Sequence, residues 1–237
     1  MVTLKYPNGD KKYFDGLQKV YPVNNSFAAA FAGDVELGLM YMNDLHKALA
    51  GLPEGNGWFP DYFIYRHYDR RARYLYKNLK EKYQNRPLEL MIMGISPMAT
   101  DTQGGGGMPR THGYILKAPN FEIEKLRRNK YFSIGSGSTV GIYTDKLNSL
   151  NESDYNRLMQ FEVGRTGGYG ITVSDYIRSI VRENPPEGGI SKHFVTAFVH
   201  RGRVEITVRR TREILNLIYL ANLIHSGLAI NWNDIKK

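Results

Sequence analysis

The run SFAAAFAG, Ser26 to Gly33, constrains this chain more than any other stretch. It holds small apolar residues and two phenylalanines, with nothing polar after Ser26 and no alternation. A segment of that kind has no face to offer water, so it reads as a strand buried on both sides. LQKVYPV, Leu17 to Val23, reads as a second strand, and Asn24-Asn25 as the turn between them. Two strands joined so tightly predict an antiparallel hairpin. Asp34 follows as the cap of a helix whose stripe is Leu37, Met40, Tyr41, Leu45, Ala48 and Leu49. Side chains this small let something approach the backbone closely at Gly33, either another layer of the protein or a substrate.

The rest of the chain alternates between helical and strand patterns. Lys5 to Asp10 reads as a turn with no complete strand before it. Gly51 to Gly57 is a loop, and Pro60 opens a longer helix with Tyr65, Tyr68, Ala72, Leu75, Leu79 and Tyr83 on its stripe. Arg66, Arg70, Arg71 and Arg73 lie mostly off that stripe, as a solvated basic face does. Pro87 ends the helix. LELMIMGIS reads as a central strand, THGYILKAP as another, and YFSIGSGSTVG from Tyr131 as a third that ends in a glycine turn. The glycine run Gly104 to Gly107 is a loop without the Lys-Ser/Thr of a phosphate-binding loop. Thr172 and Asp175 form a capping box for a helix carrying Val173, Tyr176, Ile177, Ile180 and Val181. HFVTAFV and RVEITV are two strands around a His-Arg-Gly-Arg turn, and Thr211 caps a final helix.

Blocks of antiparallel strands separated by helices make the fold class α+β and not βαβ. No linker or repeat divides the 237 residues, so 1–237 reads as a single domain. The 42% hydrophobic content allows a large core. There is no cysteine, hence no disulfide and no thiolate nucleophile or metal ligand. No apolar run reaches the roughly 20 residues of a membrane span; the longest, Ile214 to Ile224, contains two asparagines and reads as a core helix. The N-terminus lacks the apolar segment of a signal peptide. The net charge of +9 is spread over several segments without a nucleic-acid-binding signature, so it is assigned to an ordinary basic surface.

Taken in order, several pieces resemble the proteasome-type subunits of the N-terminal-nucleophile hydrolases, including the proteolytic subunit of bacterial two-component ATP-dependent proteases. They are Lys19 in LQKVYPV, AFAGDV leading into a helix, the long second helix, LELMIMGIS, IGSGS at Ile134 to Ser138, and the strand pair after Gly188-Gly189. The resemblance implies a four-layer αββα sandwich of two antiparallel sheets. It implies an N-terminal threonine as nucleophile, its own amine serving as base. Lys19 then corresponds to the lysine that keeps this amine unprotonated, and Ser136 to a serine bonded near it. Gly33 corresponds to the oxyanion donor, and Phe31 and Val35 to residues lining the pocket for the side chain before the scissile bond. Asn184 and Glu187 occupy places where the family has an acidic residue and a serine. The stretch from Asn148 to Gly170 has no counterpart in the family pattern.

The resemblance also implies a threonine-bearing strand hairpin ahead of Lys19. Thr3 lies too close to Lys19 to serve, which places that threonine about twenty residues further upstream, by the usual strand lengths. The expected protein is a cytoplasmic peptidase subunit. It acts on polypeptides in a homo-oligomeric ring, with an ATPase partner and no cofactor, metal or membrane. Alternatives are a non-catalytic assembly subunit of the same fold and a basic nucleic-acid-binding protein.

Overall fold

A computed structural model of the chain describes residues 2–5, 8–14, 18–50, 62–96, 110–126, 132–135, 195–200 and 203–208. The predicted hairpin is present. β3 (Val20–Pro22) pairs antiparallel with β4 (Phe27–Gly33), Val20 opposite Ala30. The Asn24 side chain closes the turn by accepting the Ser26 and Phe27 N–H groups at 2.8 and 2.7 Å. The first segment differs from its reading as a lone turn. β1 (Val2–Lys5) and β2 (Lys11–Phe14) form an antiparallel hairpin of their own, Val2 opposite Phe14. Its turn is held by the Asp10 N–H donating to Asn8 Oδ1 at 3.2 Å, with Gly9 at φ 87°. The lysines and tyrosine of KKYF obscured the strand, because pairing supplies what alternation of apolar residues does not.

β3 and β4 continue through β5 (Leu88–Ser96) and β6 (Arg110–Lys117) to β7 (Glu124–Lys125) in one five-stranded antiparallel sheet. Opposed residues share a face. Phe31, Leu90 and Leu116 stand in one row and Ala29, Ile92 and Tyr114 in the next. All six are buried, and α1 (Val35–Ala50) lies on them. Gly38 lets α1 approach, since a Cβ there would collide with the Phe31 ring. The other face carries Ala28, Ala30 and Ala32 opposite Met93, Met91 and Glu89.

α2 (Asp69–Asn78) is entered through a π-helical turn over Ile64–Tyr68. The wider turn shifts the helical register, so Ile64 is buried and Tyr65, expected on the stripe, is 45% exposed. The helix ends at Asn78 rather than at Pro87, with Leu79 extended and a short turn over Glu81–Tyr83. α2 docks on α1: the Tyr41 hydroxyl donates to the Ala72 carbonyl at 2.9 Å, and Arg71 Nε donates to Asp44 at 2.8 Å. Held between sheet and α2, α1 buries Leu39 and Met42, and Met40 turns outward.

β8 (Val195–His200) and β9 (Arg203–Val208) form the expected antiparallel hairpin. β8 lies against β3, β4 and β5. The architecture is therefore α+β: an antiparallel five-stranded sheet with α1 packed on one face, and separate two-stranded hairpins. Residues 132–135 are not a strand, contrary to the reading of YFSIGSGSTVG. Pro60 and the elements placed at 136–194 and after 208 lie outside the described residues.

Candidate functional site

The end of β4 is where Gly33 and Asp34 stand, close in register to Lys19. The strand stops because Gly33 adopts φ 100°, a region that costs any other residue energy. It also lies so close to β5 that a Cβ would strike the Pro87 carbonyl oxygen. The next residue uses that same oxygen: the Asp34 N–H donates to it at 2.7 Å. Asp34 then caps α1, its Oδ1 accepting the Leu37 N–H at 2.9 Å and its Oδ2 meeting Arg86 Nη1 at 3.0 Å. Glu36 gathers the Tyr83 hydroxyl, Lys82 at 3.6 Å and Arg86 at 3.7 Å. Residues 82–86 are thereby pinned to the start of α1, and Pro87 is held against Gly33.

Bonding to β5 at Asp34 fixes the direction of the Gly33 amide. Backbone groups of an antiparallel strand alternate between its two neighbours. The Gly33 N–H therefore points toward the β3 side, past the end of β3. Lys19 sits at that end. Its carbonyl accepts the Phe31 N–H at 3.1 Å, which puts it directly opposite Phe31 and two residues short of Gly33. The approach to β3 is tied down by the buried Gln18, whose Nε2 donates to the Val20 carbonyl and whose carbonyl accepts the Tyr21 hydroxyl, both at 2.7 Å. Lys19 is half-buried, and burial pushes its ammonium below the ordinary 10.5. A lysine so placed gives up its proton more readily than one in water.

The other face of the same corner carries Gly135. Its N–H donates to Glu89 Oε2 at 2.6 Å, and Glu89 Oε1 meets Lys117 Nζ at 3.3 Å. Gly135 has φ 69° and lies against Ala32, where a Cβ would stand 2.6 Å from the Ala32 Cβ. Gly135 thus reaches β4 one residue before Gly33. Phe31 points the other way: its ring is buried under Gly38 and stacks on Tyr21 at 6.5 Å between centroids. Val35 is partly buried against the core. Ser136, Asn184 and Glu187 lie outside the described residues.

Lys19, Gly33 and Gly135 therefore converge on the end of one strand. Glu89, Lys117 and Arg86, which hold this corner, were not singled out by the sequence. Glu89 was hidden inside an apolar strand; a lone carboxylate in LELMIMGIS was the available signal. The lysine brings a cation, and the Gly33 N–H a backbone donor, to the same end of the β3–β4 pair, and such groups can stabilise a developing negative charge. Among the described residues, no group of three His, Asp or Glu side chains could hold a metal ion. No helix among them is long and apolar enough to cross a membrane. No protein-family pattern and no curated protein matches the sequence.

Proposed function

We propose that this chain is a proteasome-like subunit of a threonine-type peptidase with the four-layer αββα arrangement. One observation carries the reading: Lys19 stands opposite Phe31 at the end of β3, two residues in register from Gly33, with Gly135 against the intervening Ala32 of β4. In this reading the nucleophile is an N-terminal threonine that the family pattern places ahead of Lys19. The threonine hydroxyl adds to the scissile carbonyl while its proton passes to the amine. The Gly33 N–H holds the oxyanion. The C–N bond breaks, the amine product leaves with the proton, and water hydrolyses the ester that remains. Lys19 favours the free amine by its positive field. The enzyme works on polypeptides in a cytoplasmic homo-oligomeric ring fed by an ATPase.

The test is to express the gene with its upstream codons and measure hydrolysis of fluorogenic peptides and acylation of the N-terminal threonine. Lys19→Ala is expected to lower kcat by about 10²-fold or more. An upstream region without a threonine followed by a strand pattern, or an extended protein that neither cleaves nor acylates, overturns the proposal.

A further inference from the structure

We infer that Glu89 is a positioning residue that clamps the Gly135 turn beside Gly33, with Lys117 holding the clamp. This inference rests on the peptidase reading for its catalytic consequence, but the clamp itself is a matter of geometry. Glu89 is opposite Ala32 on one side and Lys117 on the other, so three strands place the carboxylate on the small-residue face. One oxygen takes the Lys117 ammonium and the other takes the Gly135 N–H.

Three features define the contact. The bond from Gly135 is to a side-chain carboxyl oxygen that is also paired, through its other oxygen, with Lys117. The loop residue must be glycine, both for its φ of 69° and for its proximity to Ala32. The small side chain of Ala32 is what admits it. A strand of β4 that carried a larger residue at position 32 would keep its pairing and lose the loop. The alanine at the end of β4 and the carboxylate in β5 thus act together to bring a distant loop to the residue next to Gly33. Glu89 touches no reacting atom in this arrangement; it acts through the turn.

The experiment compares Glu89→Ala, Glu89→Gln and the unaltered chain by amide hydrogen exchange at Gly135. In the upstream-extended protein it compares kcat and KM for peptide hydrolysis. Glu89→Ala is expected to speed Gly135 exchange by about tenfold or more and to lower kcat about tenfold with KM within about twofold. Glu89→Gln keeps an acceptor oxygen and is expected to restore most of both. Unchanged Gly135 exchange in Glu89→Ala overturns the clamp. So does a kcat loss in Glu89→Gln equal to that in Glu89→Ala, because charge and not the turn would then matter. An unaltered extended protein that cleaves no peptide sinks the peptidase reading alone, and the exchange data still decide the clamp.

Discussion

The two faces of the five-stranded sheet follow opposite rules. The helix side is filled by Phe27, Phe31, Leu90, Ile92, Tyr114 and Leu116, each at most 2% exposed. The other side is built from alanines, two methionines and the Glu89–Lys117 pair, and Met93 is 51% exposed. The first face holds the fold together by burial. The second leaves room at its end, where Gly135 approaches. Gly33 stands at the edge where the two meet.

The comparison breaks most readily on the packed side. Ile92→Ala should cost about 2–5 kcal/mol, the range for a buried aliphatic side chain that leaves a cavity, read as a fall in the urea midpoint at constant m-value. A loss under about 1 kcal/mol would mean that this face is not the core. Gly33→Ala comes next, at about 1–3 kcal/mol, from backbone strain and the Pro87 carbonyl. A neutral result there would remove the reason for glycine at the end of β4.

Lys19→Met tests the boundary by pH. Burial lowers the Lys19 pKa from 10.5 on folding, so the unfolded chain holds that proton more tightly. The ammonium therefore costs stability in full below its folded pKa, and the cost is relieved as pH rises from there towards 10.5. Stability of the unaltered chain should climb relative to Lys19→Met across that window. Above 10.0 the buried hydroxyls of Tyr21 and Tyr41, held above their ordinary pKa by desolvation, pull both proteins down equally. Parallel pH curves for the two proteins would refute the buried lysine. The smallest effect belongs to the open face: Met93→Ala, one residue from Ile92, should shift stability by no more than about 0.5 kcal/mol.

The residues near one another in sequence were the legible part. The β3–β4 hairpin, the Asp34 cap, β5, β6 and the β8–β9 hairpin follow from patterns a few residues long. The same local logic failed where tertiary structure overrode it. KKYF reads as polar, yet it pairs as β2. The π-helical turn exchanged Tyr65 for Ile64 on the buried side, and the helix stopped at Asn78 because the next segment was needed to pin Pro87 to Gly33. At the site, Lys19 and Gly33 were marked through a resemblance. Glu89, Arg86 and Lys117 were passed over, because nothing about a single charge in a strand says which loop it will meet.

The sequence by itself determined the local pieces: a small-residue strand that cannot face water, a turn before it and a capped helix after it. Those depend on side-chain size and on hydrogen bonds within a few residues. Only the tertiary structure decided that Gly135 packs on Ala32, and that positions 19, 33, 89 and 135 lie near the end of one strand pair. That meeting is set by strand register and loop closure over long separations, which no periodicity in the chain records. Ala32, next to Gly33, leaves room for Gly135, which Glu89 holds in place.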